Sequence, residues 1–472
     1  ATGNTSKTAH AGLVGKLNYD YDSRYLMEFD CRYDGTYKFQ RGSRWGFFPG
    51  ISVGWRMSEE NFMKNAFPLL DNLKLRASYA KVGDEGDFSA FQYLEGYTSN
   101  GTYILGSGGV TTGMTSTGMA NTWLTWYESK IMNLGFDFSY DKGLISLQFD
   151  WFRRHRTGLP ATREGSLPTT FGESMPEENL NSDINTGYEL VIGHKGNIGK
   201  FKYDLSANFS TTTIKYDHVE TAASANKYEN WRNNTNNRNE NIQWGLKVIG
   251  QFTSYADILS SPIQDDNGNK TLLPGDLKFK DYNGDGIIND EDEQPIGRGT
   301  TPTKYYGLNI NGEYSGFDMT VFLQGASGDD VFISGDILDT FIQQGLGNGL
   351  EIMTNRWHRA DPTDPYSEWI PGIMPAARVS GSSYNRSSNS WSLHDASYIR
   401  LKTLELGYTL PAKLIKTLPL ERVRFFVNGY NLLTFTKDHS GLMKYIDPEN
   451  STSNLRYYPQ MKTYNFGVNI TF

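Results

Sequence analysis

Nowhere in this 472-residue chain is there a run of about 18 apolar residues, the length that a membrane-spanning helix needs. Mean hydropathy is low, at -0.54. Cys31 is the single cysteine, so no intrachain disulfide can form. With 45 basic and 53 acidic residues the net charge is -8, which removes the basic stripe that a nucleic-acid partner selects. No signal peptide stands at Ala1. Catalytic signatures are missing too. The seven histidines (His10, His155, His194, His218, His358, His394, His439) show no H-E-x-x-H spacing. There is no G-x-S-x-G and no nucleotide-binding glycine loop. Asp329 and Asp330 are adjacent acids, but neighbours on a strand point to opposite sides, and paired acids in a polar loop read as solvated. No enzyme is expected.

What the chain does have is 49 Gly, 29 Tyr, 26 Phe and 10 Trp. Alternating strands reconcile many aromatics with low hydropathy, because only every second residue faces lipid in a transmembrane barrel. The segment Tyr464 to Phe472 alternates strictly: Tyr464, Phe466, Val468, Ile470 and Phe472 on one face, Asn465, Gly467, Asn469 and Thr471 on the other. Hairpins repeat the pattern. Leu13, Leu17, Tyr19 and Tyr21 lead through Asp22-Ser23 to Tyr25, Met27, Phe29 and Tyr33. Leu134, Phe136, Phe138 and Tyr140 lead through Asp141-Lys142-Gly143 to Ile145, Leu147, Phe149 and Trp151. Tyr306, Leu308, Ile310 and Tyr314 lead through Ser315-Gly316 to Phe317, Met319, Val321 and Leu323.

About thirteen such strands can be counted. Short connections alternate with long ones at 83–131, 157–183, 212–304, 327–395 and 436–461. That alternation matches short periplasmic turns and long extracellular loops. The expected fold is an all-β, transmembrane antiparallel β-barrel of the outer membrane. A partial sheet has unsatisfied edges in lipid, so more strands are expected from an N-terminal part or another chain. An odd strand count places Ala1 in an extracellular loop, and an exported barrel needs a leader, so translation is expected to start upstream.

Several segments resemble SusC-like TonB-dependent transporters of Bacteroidetes outer membranes. They are RWGFFPGISVGWRMSEENFM (Arg44 to Met63), LDNLKLRASYAKVGDEG (Leu70 to Gly86), LLPGDLKFKDYNGDGIINDEDEQPIG (Leu272 to Gly297), DASYIRLKTLELGYTLP (Asp395 to Pro411), VRFFVNGYNLLTFTK (Val423 to Lys437), IDPE (Ile446 to Glu449) and the final YYPQMKTYNFGVNITF. They occur in family order. The resemblance implies a plugged barrel of about 22 strands, thirteen of them here and about nine upstream. The plug domain and the TonB-engaging segment have no counterpart in this chain. The resemblance also implies import of glycans or peptides driven by TonB, and a SusD-like surface lipoprotein over the long loops. Partners are then the N-terminal part, the lipoprotein, TonB and outer-membrane lipid.

Two sets of residues could carry a site. Asp281, Asn283, Asp285, Gly286, Ile287, Asn289 and Asp292 fit the D-x-[DN]-x-[DN]-G loop with an acid at position twelve. Side-chain oxygens of Asp281, Asn283, Asp285 and Asp292, the Ile287 carbonyl and Asn289 through water would wrap Ca2+ in a structural role. The alternative is an Asn/Asp/Gly turn that binds nothing. Loop tryptophans Trp123, Trp126, Trp231, Trp244, Trp357, Trp369 and Trp391 are the candidate substrate contacts, since aromatic faces stack on sugars and bury peptide side chains. Interface girdles and loop packing use the same residues. Rival functions are a passive diffusion pore without a plug and a secreted β-rich binding or adhesion protein.

Overall fold

A computed structural model of the chain describes residues 8–106, 109–163, 169–334, 338, 348–378, 385, 387–417, 419–450, 457–458 and 460–472. Thirteen long strands lie in chain order in one sheet. They are β1 His10–Tyr21, β2 Tyr25–Thr36, β3 Trp45–Arg56, β4 Leu70–Asp84, β5 Tyr127–Tyr140, β6 Ile145–Thr162, β7 Glu177–Ile198, β8 Phe201–His218, β9 Lys304–Tyr314, β10 Phe317–Ser327, β11 Tyr398–Thr409, β12 Arg422–Thr436 and β13 Thr463–Thr471. Every pairing of defined register is antiparallel.

The expected transmembrane barrel wall, thirteen strands of a probable 22, is not formed: the thirteen strands make an open sheet. The sheet order ends at β1 on one side and β13 on the other, and these two strands are not paired. Closure requires the backbone N–H and C=O rows of the first and last strands to bond to each other. β1 bonds to β2 and β13 to β12. The placement as a multi-pass barrel spanning the outer membrane falls with it, because no closed, membrane-spanning barrel is formed. Among the described residues, no helix is long and apolar enough to cross a membrane.

The local chemistry of the hairpins follows the sequence. Asp22 and Ser23, Asp141 and Lys142, and Ser315 with Gly316 all have positive φ, between 47° and 89°. Two successive left-handed residues turn the chain with the twist of the flanking strands.

The chain divides into two compact units. The first comprises residues 1–194 and 210–240. On one of its faces Tyr25, Trp55, Leu75, Phe136, Phe149 and Leu190 stand in a cross-strand row over six strands. The other face is ionic: the Arg76 guanidinium donates two bonds to Asp137 and two to Asp150, each 2.9 Å. The buried apolar cluster of this unit lies off the strand centres, where Phe39, Phe48, Phe88, Leu124, Trp126 and Tyr127 meet. Strands β6, β7 and β8 run past the ends expected from their apolar alternation. Polar bonds take over there: Arg156 pairs with Asp183, and the Asn179 amide donates to the Gly158 and Thr125 carbonyls at 2.8 Å.

The second unit comprises residues 195–209 and 241–472. Phe317, Tyr408, Phe425 and Val468 form one apolar row, and Met319, Leu406, Val427 and Phe466 the next. On the opposite face Arg424 pairs with Asp318 and Glu405. The core again sits in the connections. Val331, Ile333, Met353, Met374, Ala396, Leu442, Met443 and Ile446 form one cluster, and Leu277, Phe279 and Ile288 another. Short two-stranded ribbons organise these connections, pairing Gln243–Gly245 with Gln294–Gly297, Val248–Gln251 with Leu277–Phe279, and Asp330–Phe332 with Leu393–Asp395. Parts of the 83–131, 157–183, 327–395 and 436–461 loops lie outside the described residues.

Candidate functional site

The Asp281–Asp292 loop folds as a cascade of side-chain-to-backbone turns. Asp281 accepts from the N–H groups of Gly284 (2.6 Å) and Gly286 (2.9 Å). Asn283 Oδ1 accepts from Asp285 N, and Asp285 Oδ1 from Ile287 N. Gly284 and Gly286 both have positive φ, which lets the chain reverse twice without a Cβ penalty. Ile263 bridges the loop: its N–H donates to the Gly286 carbonyl at 2.8 Å, and its carbonyl accepts from Ile288 N at 2.7 Å. Ile288 anchors the loop in the apolar cluster. Asp292 points inward and is fully buried. It accepts from Tyr282 N (2.8 Å) and Asn289 N (3.0 Å), the second bond being half of a capping box with Asn289. Asn283 and Asp285 are exposed and Asp281 is half-buried, each able to accept further bonds at its side-chain oxygens, whereas Asp292 is buried and turned to the backbone. Among the described residues no three His, Cys, Asp or Glu side chains are grouped to hold a metal ion.

The seven tryptophans are not brought together. Trp126 is buried against Phe39 and Phe48, and its Nε1 donates to the Arg44 carbonyl at 3.1 Å. Trp357 is buried too, its Nε1 donating to Gln251 Oε1 at 3.0 Å. Trp391 packs against two apolar clusters. The Arg359 guanidinium covers Trp369 at 4.7 Å, and Arg238 lies 5.1 Å from the Trp231 ring. Trp244 sits half-buried in a short ribbon. Trp123 alone of the seven is almost fully exposed, at 87%.

The adjacent acids at the end of β10 depart from their expected solvated state. Asp329 and Asp330 are both buried, not solvated. Asp330 accepts from the Arg298 backbone N–H (2.6 Å) and guanidinium (3.3 Å). Among the described residues Asp329 has no paired cation, and its buried Oδ1 finds no hydrogen-bond partner. Burial, and after it the neighbouring Asp395 and Asp330 carboxylates, push the Asp329 carboxyl up to about 6. Both acids line a cleft of about 330 Å³ with Tyr305, Tyr398, Asp447 and Glu449. The last two are neutralised: Arg400 donates to Asp447 at 2.7 Å and lies 3.1 Å from Glu449, which Lys402 also approaches at 2.9 Å. The sequence signal for Asp329 was its place directly after an apolar strand, where the next apolar run, Val331 to Ile333, turns inward.

The fold of the chain has counterparts among solved structures. The chain superposes on the RagAB peptide importer in its open-open state with a TM-score of 0.74. Identity there is 17%, with 100% of this chain and 48% of that one covered. The closed-closed state gives 0.71. In sequence, the chain is 30% identical to TonB-dependent receptor P3 of Formosa agariphila, over 99% of its own length and 46% of the relative's. It is 27% identical to TonB-dependent receptor SusC of Bacteroides thetaiotaomicron, over 100% and 44%. No protein-family model matches the chain. The likeness defines a receptor class, not an enzyme class. The chain belongs to the SusC-like TonB-dependent receptors, and it spans about half the length of the curated relatives it matches.

Proposed function

We propose that the chain serves in a TonB-dependent importer of the outer membrane that takes up glycans or peptides. The observation that carries this reading is the sequence likeness to TonB-dependent receptors along almost the whole chain. A peptide cargo is favoured by the fold shared with the RagAB peptide importer, and a glycan cargo by the likeness to SusC. Sheet and loops do no chemistry of their own. Energy for uptake would come from TonB through a plug carried by further polypeptide, and a SusD-like surface lipoprotein would cover the loop regions. Mass spectrometry and peptide mapping of the purified complex test the reading. A plug-bearing sequence and a lipoprotein are expected. A preparation with no plug-bearing sequence would leave the passive pore.

The Asp281–Asp292 loop is a second proposal. Side-chain oxygens of Asp281, Asn283 and Asp285 and the Ile287 carbonyl suit a hard cation such as Ca2+, held for structure. Asn289 and Asp292 shape the loop through the capping box, so affinity is expected to be weak.

A further inference from the structure

The cleft at the end of β10 holds more than a folding contact. Its other carboxylates have cations: Asp330 has Arg298, Asp447 has Arg400, and Glu449 has Arg400 and Lys402, while the neighbouring Asp395 has Lys437 at 2.8 Å. Asp329 is left over. It is 4% exposed, lines the cleft, and keeps Oδ1 unpartnered. A buried polar atom without a partner is costly and calls for an explanation. A second ionised group in the cleft supplies one.

We propose that this cleft binds the cationic head of a small ligand, an ammonium or guanidinium group, on the carboxylate of Asp329. A divalent metal ion is a poorer match. Calcium and magnesium need six or more oxygens, zinc prefers nitrogen and sulfur ligands, and the neighbouring carboxylates are already engaged. One free carboxylate answers one ammonium, or one guanidinium edge, by charge-assisted hydrogen bonds. Tyr305 is 43% exposed and lines the same cleft, so an aromatic wall stands beside the charge. The volume of about 330 Å³ admits an amino-acid-sized group. The inference does not depend on the import reading, since it concerns only the ligand chemistry of one cleft.

Protonation sets the working range. The charges facing Asp329 are Asp330, Asp395 and Arg298, with Lys437 beyond Asp395. Because the carboxyl is pushed up to about 6, the site is ionised and receptive above that pH and neutral below it. Isothermal titration of argininamide into the purified protein, at about pH 7.5 and about pH 5, tests the proposal. Saturable binding is expected at the higher pH, weaker by at least about tenfold at the lower one and in Asp329→Asn. Acetamide, which is uncharged, should not bind. The pH series on the unaltered protein stands even if the variant misfolds. Equal binding by the variant, binding indifferent to pH, or no uptake because a basic side chain of the protein already fills the cleft would each overturn it.

Discussion

Trp126→Ala separates a folding role from a ligand-binding one. The indole is 9% exposed and meets Phe39 and Phe48 edge-on at 5.8 and 5.4 Å. Truncating a buried Trp to Ala costs about 3–5 kcal/mol in transfer and cavity terms. Losing the Nε1 bond adds little, because the Arg44 carbonyl still accepts from Thr36 N at 3.2 Å. At about 1.4 kcal/mol per decade, local opening should rise by roughly two to three and a half decades. The Thr36 amide is the reporter, being 1% exposed and bonded across the same cluster. Its hydrogen exchange should accelerate by at least about 100-fold. Trp126→Phe keeps one aromatic ring but loses the indole donor and part of the buried volume, so a cost below that of Trp126→Ala is expected. Unchanged exchange at Thr36, together with a lost affinity for cargo, would refute the packing argument and return Trp126 to the binding surface.

Other perturbations probe the second unit. Arg400→Met removes a guanidinium that bonds Thr434, Gln460 and Asp447, and should cost about 3–5 kcal/mol by stranding Asp447; faster proteolysis near residues 446–450 would report it. Calcium in excess should slow hydrogen exchange across residues 272–300, and Asp285→Ala should abolish that slowing; a loop equally protected with and without calcium would leave a plain turn. The Lys278 ammonium at 2.7 Å, and then the Thr253 N–H, hold the Asp257 carboxyl below its usual range. The tie is therefore fully present above about pH 4 and lost only as pH falls through the lowered value, so Thr253 exchange protection should hold from neutral pH down to that point.

Local features were readable because their causes are local. β13 showed itself through period-two alternation, and the hairpins at Asp22, Asp141 and Ser315 through residues that tolerate positive φ. Closure was not readable. Whether β1 meets β13 depends on groups some 450 residues apart, and each strand's pattern would be the same in an open or a closed sheet. The loop ribbons escaped for a similar reason. Asp330–Phe332 pairs with Leu393–Asp395, two three-residue segments too short to show a period. The aromatic composition pointed to the tryptophans as a class but not to their separate fates. Burial of Trp126 is decided by Phe39 and Phe48, and that of Trp357 by Gln251 and its neighbours, none of them adjacent in sequence. At the Asp281–Asp292 loop the run of Asp, Asn and Gly announced a turn. The inward turn of Asp292 was not legible, since it follows from the capping box that its own 3-10 turn requires.

The most direct test of the central claim is cargo uptake with and without TonB. Cells carrying the full-length protein would be given labelled oligosaccharides and peptides, and accumulation followed before and after TonB depletion. The account predicts accumulation of at least one cargo that stops when TonB is removed. Uptake that continues undiminished in its absence would contradict it and make the protein part of a passive pore.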